Sequence, residues 1–202
     1  MRIAVLVSGE GTNLQALLDE VHGRDGIAIV AVASNRPDAM ALERAAAVGV
    51  ATGTFPAQEY SGREERDLAI ADWLAEQGAE LIVLAGYMQL LSDGFLARFP
   101  NRVINVHPAL LPAFPGIHAV EQAVRYGVKV FGVTVHFVDG GVDTGPVILQ
   151  RAIELRDARD PEQVIELLRP IEHALLPEAV RLIARGSVSF DPANPHRVIV
   201  GR

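Results

Sequence analysis

Cysteine is absent from all 202 residues, so disulfide bridges, thiolate metal sites and thiol nucleophiles are excluded, and stability must come from packing. Long hydrophobic runs are missing too. Half of the residues are hydrophobic, yet charges soon interrupt each apolar run, leaving none long enough to cross a bilayer. The opening segment from Met1 reaches Gly9 before the apolar region of a signal peptide is complete. It reads as a first strand and predicts a protein that stays in the cytoplasm, with no membrane partner. Basic tracts are also lacking: 18 Lys and Arg stand against 25 Asp and Glu, for a net charge of -7. That balance excludes a nucleic-acid partner but not a small anionic substrate, because backbone N–H groups at a helix start can hold a phosphate without net positive charge.

What is present alternates. Short β-branched runs at Ile3 to Val7, Ile27 to Ala33, Leu81 to Ala85 and Val103 to Val106 are separated by helical patterns at Asn13 to Val21, Ala39 to Val48 and Glu64 to Gln77, with a further helix at His118 to Tyr126. Beyond Gly127 the pattern gives strands at Val128 to Asp139 and Pro146 to Ile153, a long helix at Pro161 to Ala184 and a terminal hairpin from Val188 to Val200. The expected fold class is α/β: an open, mostly parallel Rossmann-like sheet with helices on both faces, and antiparallel strands in the C-terminal half. One domain over 1–202 is expected, its halves meeting near residue 100 and sharing a cleft.

Ser8-Gly9-Glu10-Gly11-Thr12-Asn13 follows a strand and opens a helix, so its amides converge where the helix dipole favours an anion. A hydroxyl and an amide at Thr12 and Asn13 can complete a phosphate cradle. The alternative is a tight strand-to-helix connection capped by the same atoms; the third glycine of the dinucleotide fingerprint is missing. If the turn is a phosphate site, a bulky residue at Gly11 is expected to raise the KM of a phosphorylated substrate far more than that of its co-substrate.

Asn105 and His107 stand two apart at the end of an apolar strand, so both face the same side, and strand ends are where open α/β sheets place ligands. The segment that follows holds Pro108, Pro112, Pro115 and Gly116, which stiffens the support. A third polar group, Asp143, lies in the glycine-rich loop Asp139 to Gly145. The preceding strand sets Val133, Val135 and Phe137 on a core face against Gly132, Thr134 and His136 on a polar one. Thr134, His136 and His118 are expected to support the catalytic groups from behind. A plain structural histidine and a solvated acidic turn are the alternative readings. With no cysteine and no convincing serine nucleophile, the trio Asn105, His107 and Asp143 suits direct acyl transfer, in which an amine attacks a carbonyl carbon. Asn105 and a protonated His107 would donate to the oxyanion, a contribution of about 2.7 to 4 kcal/mol per donor, and the negative charge of Asp143 favours the protonated ring.

The segments Ser8 to Ala16, Leu84-Ala85-Gly86-Tyr87-Met88, Asn105-Val106-His107-Pro108-Ala109-Leu110-Leu111-Pro112 and Asp143 to Ile148 together resemble the glycinamide ribonucleotide formyltransferase family over nearly the whole chain. The Asn-x-His-Pro-x-Leu-Leu-Pro segment is shared by formyl-folate transferases in general; the Gly-x-Gly-Thr-Asn turn selects the phosphoribosyl acceptor. The resemblance implies the formyltransferase fold and transfer of a formyl group from 10-formyltetrahydrofolate, as co-substrate, to the amine of glycinamide ribonucleotide in purine biosynthesis. It implies direct attack with no metal and no covalent intermediate, in a monomer or weak homodimer. By the same resemblance Gly11, Thr12 and Asn13 bind the acceptor's phosphate and Glu172 its glycinamide end. Arg63, Met88, Gln89, Leu90, Leu91, Asp139, Gly140, Gly141 and Val142 line the folate pocket, and Asn105, His107 and Asp143 take the catalytic positions. Three departures stand out: Thr12 where Ser is common, Gln89 where Arg is common, and Ala113 where Lys is common. The last two remove positive charge, which predicts weaker affinity for a polyglutamate tail or a phosphate.

Rival readings are a formyl-folate hydrolase, a formyltransferase acting on initiator tRNA or a sugar nucleotide, and a non-catalytic nucleotide-binding module. The first two would call for an additional regulatory or basic domain, and the last leaves Asn105, His107 and Asp143 unexplained.

Overall fold

Strand β1 (Arg2–Val7) is fully buried from Ile3 onward in the computed structural model, which describes residues 1–201. It pairs in parallel with β2 (Ala28–Ser34) on one edge and β4 (Leu81–Leu84) on the other; β2 also pairs with β3 (Ala51–Thr54), and β4 with β5 (Val103–His107). A strand with parallel neighbours on both edges and no solvent face reads as a continuous apolar run, and this is why Ile3 to Val7 lack alternation. The parallel strands are linked through α1 (Thr12–Glu20), α2 (Met40–Ala47), α3 (Arg63–Glu76) and α4 (Asp93–Arg98). Leu14 and Leu17 of α1 and Ile70 and Leu74 of α3 are wholly or almost wholly withdrawn from water, each worth roughly 1.5 to 3 kcal/mol of burial.

Helix and strand limits fall within two residues of those read from the sequence, and the long helix α6 (Pro161–Ala184) matches at both ends. Its start is set by Asp160, whose carboxylate accepts the Glu162 N–H at 3.0 Å, and by Pro161, which needs no hydrogen-bond partner in the first turn. Besides a single 3-10 turn at Ala57–Glu59, two elements were not expected. Strand β3 is a four-residue, largely exposed edge whose Gly53 has no side chain because a Cβ there would lie 2.9 Å from the Phe55 ring and 3.1 Å from that of Trp73. Helix α4 is six residues with Gly94 inside, and it forms because the Ser92 hydroxyl accepts the Phe95 N–H at 3.3 Å while Phe95 is fully buried.

Contacts divide the chain into two compact units, Met1–Asn105 and a second beginning at Val106, with the break inside β5. The second unit holds α5 (Ala119–Tyr126), β6 (Val130–Phe137), β7 (Val147–Glu154), α6, β8 (Val188–Asp191) and β9 (Asn194–Val200). Strands β6 and β7 are antiparallel, β8 and β9 form an antiparallel hairpin, and β9 meets β7 at Arg197 and Val147. The N-terminal strands thus pair in parallel and the C-terminal ones mainly antiparallel, the Val147–Arg197 contact of β7 with β9 being parallel, with α6 packed on β6 and β7. The alternation of β6 does not divide core from solvent. Every residue from Phe131 to Phe137 is buried, Thr134 and His136 included. The polar side chains survive there because each finds hydrogen-bond partners inside.

Candidate active site

In the first unit, Ser8 to Gly11 connect β1 to α1. Gly11 takes the left-handed conformation at φ 77° and caps the helix without a side chain. A Cβ at this position would fall 2.5 Å from the Ala41 Cβ and 2.9 Å from its Cα. The packing of α2 therefore demands this glycine whatever the turn binds, so a bulky Gly11 variant would disturb the fold in addition to any effect on a bound substrate. A Gly11→Val variant is expected to lose fold stability, by roughly 1 to 3 kcal/mol from left-handed strain and overpacking, which a denaturant titration reads directly. Thr12 and Asn13 sit half-buried at the helix start. Ser8 ties the turn to its surroundings: its hydroxyl donates to Asn35 Oδ1 at 2.6 Å and accepts the Met88 N–H at 2.9 Å.

The loop after β4 is pinned from below by charge. Arg66 and Asp67, both withdrawn from solvent, form a two-pronged pair, Nε and Nη2 donating to Asp67 Oδ1 at 3.0 and 2.7 Å. The other carboxylate oxygen accepts the Ser92 N–H at 2.7 Å, and Arg66 Nη1 donates to Gln89 Oε1 at 3.3 Å. Tyr87 lies close by, and burial first of all, with Asp67 adding and Arg66 opposing, pushes its phenol up to about 12. Above this base Met88 and Leu90 are exposed, at 65% and 54%, while Leu91 is half-buried and Arg63 opens α3 exposed. The sequence reading passed over Arg66 and Asp67 because they sit in the run Arg63-Glu64-Glu65-Arg66-Asp67, which looks like a solvated face.

His107, in the second unit, is 5% exposed at the end of β5; Asn105, the last residue of the first unit, precedes it by two residues on the same side of that strand. His107 Nε2 lies 2.8 Å from the Phe114 carbonyl and Nδ1 lies 3.4 Å from Asp143 Oδ2. A carbonyl and a carboxylate can only accept, so the ring satisfies both neighbours when both nitrogens carry protons. His136 repeats the pattern: Nδ1 lies 2.7 Å from the Phe137 carbonyl and Nε2 lies 3.5 Å from Asp143 Oδ1. One carboxylate thus faces two imidazoles, one through each oxygen, and Oδ2 also accepts the Gly116 N–H at 2.7 Å. Asp143 itself is left-handed at φ 53°, a conformation uncommon for a residue with a side chain and concentrated at functional positions.

Burial by itself would raise the Asp143 carboxyl; the hydrogen bond to His136, the Gly116 N–H and the charges of His107 and His136 outweigh it and hold the group down at about 2. A carboxyl lowered on folding stabilises the protein above its unfolded value of about 3.9, and loses that contribution as pH falls toward 2. We expect wild type to exceed Asp143→Asn in unfolding free energy by about 2 kcal/mol at pH 5, shrinking toward zero near pH 2, in parallel denaturant titrations. A difference that stays constant across that range would show that the charge of Asp143 does not couple to folding.

The other expected residues separate into supports and bystanders. Thr134 braces the proline-rich segment: its hydroxyl donates to the Ala109 carbonyl at 2.7 Å and accepts the Leu111 N–H at 3.1 Å, while Gln150 Nε2 donates to it and to the Leu111 carbonyl. Asp139 holds its own loop together, Oδ1 accepting the Thr144 hydroxyl at 2.6 Å and the Gly141 N–H at 3.1 Å. Gly140, Gly141 and Val142 are exposed on that loop. His118 is not part of the cluster around Asp143; exposed at the start of α5, it pairs with Glu121 at 3.1 Å in its own first turn. Glu172 lies half-buried on α6 beside His173, whose imidazole is lowered by burial and then by the Arg169 charge. Phe114 and Gly116, on the proline-rich segment, contribute to this cluster through backbone groups.

Among the described residues no helix is long and apolar enough to cross a membrane. The profile of the family described as "Formyl transferase" matches residues 1–180. The chain is 42% identical over 188 residues to the phosphoribosylglycinamide formyltransferase of Mycobacterium tuberculosis (strain H37Rv), covering 93% of this chain and 87% of that one. It is 40% identical over 190 residues to the trifunctional purine biosynthetic protein adenosine-3 of Drosophila pseudoobscura pseudoobscura, covering 93% of this chain but spanning only 14% of that protein's length. The crystal structure of glycinamide ribonucleotide transformylase 1 from Symbiobacterium toebii superposes with a TM-score of 0.95 at 44% identity, over 100% of this chain and 94% of that one. With that match running unbroken from the glycine turn of the first unit through the two-imidazole carboxylate of the second, the chain belongs to the formyl transferase family.

Proposed function

We propose that this chain transfers the formyl group of 10-formyltetrahydrofolate to the amine of glycinamide ribonucleotide, giving formylglycinamide ribonucleotide and tetrahydrofolate in purine biosynthesis in the cytoplasm. The observation that carries the reading is the Asp143 carboxylate shared by His107 and His136, in a chain that belongs to the formyl transferase family. The amine lone pair attacks the formyl carbon, a carbon–nitrogen bond forms, and the carbonyl oxygen becomes an oxyanion. The Asn105 side-chain amide donates to that oxygen, and so does the protonated ring of His107, whose Nε2–H exchanges the Phe114 carbonyl for the oxyanion while Nδ1–H stays on Asp143, which stabilises the ring's positive charge. As the intermediate collapses, the bond to folate nitrogen breaks; the proton lost by the amine balances the one gained by that nitrogen, so no net acid or base is consumed.

Gly11, Thr12 and Asn13 hold the acceptor's phosphate with first-turn amides of α1, and Glu172 receives its glycinamide end. Arg63, the Met88 to Leu91 loop and Asp139 to Asp143 take the folate, Asp139 by shaping the loop rather than by offering a free carboxylate. The phosphate turn thus falls in the first unit, and His107, Asp143 and the Asp139 loop in the second. Offering formyl-folate with glycinamide ribonucleotide, with water alone, or with initiator tRNA tests the assignment in one spectrophotometric assay of folate product. Turnover is expected only with glycinamide ribonucleotide; formate release without an acceptor, or tRNA formylation, would overturn it.

A further inference from the structure

We propose that Arg44 of α2 is a positioning residue for the acceptor's phosphate, acting through the Glu10–Gly11 peptide rather than by touching the substrate. This rests on the reading of Gly11 to Asn13 as the phosphate site. Arg44 Nε donates to the Glu10 carbonyl at 2.9 Å and Nη1 donates to Gln15 Oε1 at 3.1 Å. One turn earlier in the same helix, the Ala41 N–H donates to the Gly9 carbonyl at 3.2 Å. Two successive carbonyls of the turn are therefore directed at α2, while the third, Gly11, starts the α1 ladder by accepting the Gln15 N–H at 2.9 Å.

In a planar trans peptide the C=O of one residue and the N–H of the next point in opposite directions. Holding the Gly9 and Glu10 carbonyls against α2 thus turns the Glu10 and Gly11 N–H groups away from it. The acceptor ends of both dipoles, which would repel an anion, are covered, and the donor ends are left for one. The arginine's two donors fix this with one planar group: Nε holds the turn and Nη1 holds Gln15, whose Nε2 in turn donates to Asp19 at 2.9 Å in the next turn of α1. The contact between Gly11 and Ala41 sets how closely α2 approaches, so the clamp and the missing Cβ serve one geometry. Without Arg44 the Glu10–Gly11 peptide is free to rotate, and pre-orientation of its N–H is lost before the phosphate arrives.

The test compares wild type, Arg44→Ala, Arg44→Lys and Asn13→Ala with glycinamide ribonucleotide and with its dephosphorylated riboside. Arg44→Ala is expected to raise the KM for the ribonucleotide about tenfold while kcat and the folate KM change less than twofold. With the riboside, kcat/KM should be the same in Arg44→Ala and wild type, because there is no phosphate to orient amides for. Arg44→Lys, which restores the charge but not the fork, should recover only part of the loss. If Asn13→Ala raises the ribonucleotide KM and Arg44→Ala does not, the clamp is refuted while the phosphate site stands. If neither variant changes that KM, the phosphate site itself is misassigned and the inference falls with it. An Arg44→Ala enzyme impaired equally on ribonucleotide and riboside would make the residue merely structural and also overturn the proposal.

Discussion

Asp143→Asn is expected to lower kcat by at least about a hundredfold and leave the fold intact at neutral pH. The substitution is nearly isosteric, and an asparagine oxygen can still accept the Gly116 N–H that fixes the loop. What disappears is the negative charge lying 3.4 Å from His107 and 3.5 Å from His136. Without it a protonated ring at His107 has no counter-charge, and the donor to the developing oxyanion is weakened when it is needed. His107→Ala removes that donor outright and should fall in the same range. Steady-state turnover with circular-dichroism melting in parallel separates the two effects. Near-wild-type turnover in a folded Asp143→Asn protein would remove the proposed role of the carboxylate.

Asp67→Ala is expected to destabilise the protein by about 3 to 5 kcal/mol, the cost of leaving a buried charge unpaired. Arg66 would lose both bonds to Asp67 Oδ1 while remaining almost wholly inside, and the Ser92 N–H at the start of α4 would lose its acceptor. Removing both charges in Arg66→Leu with Asp67→Leu should cost less than the single change, because no uncompensated ion remains. Urea titrations of the three proteins decide the matter. A double variant worse than Asp67→Ala would mean that the pair contributes more than the desolvation of its members. The loop from Met88 to Leu91 is tethered to the same pair through Gln89, so the double variant should also raise the folate KM if that loop meets folate.

The strands and long helices were legible because burial on both faces leaves continuous apolar runs, as in β1, and because Asp160 and Pro161 mark the start of α6 on their own. What escaped was set by tertiary contact. Strand β3 has neither alternation nor a long run, since an exposed four-residue edge needs neither. Helix α4 contains a glycine and exists through one serine cap and one buried phenylalanine. At the site, the approach of His107 to Asp143 was expected from spacing and resemblance, but the symmetry of His136 about Asp143 was not: strand alternation gives a side, never a distance. His118 was misjudged for the same reason, its nearness in sequence to Gly116 saying nothing of a side chain that turns outward to Glu121. The glycine at position 11 was read as serving a ligand; that helix packing requires it as well left no trace in the local pattern. Arg44 looked like an ordinary helix cation, because a guanidinium's partners on a different element leave no trace in local pattern.

Trp73 is the chain's single tryptophan, and its ring lies 5.7 Å from that of Phe55, over the bare backbone of Gly53. Its emission is therefore a built-in optical reporter for the edge of the first unit, and the second unit contains no indole. Unfolding followed by this signal tracks α3 and β3, while far-ultraviolet dichroism averages over the whole chain. A variant such as Asp67→Ala, seated two turns from the indole on the same helix, should shift the fluorescence midpoint at least as far as the dichroic one. Any gap between the two curves would measure how independently the halves of the molecule melt.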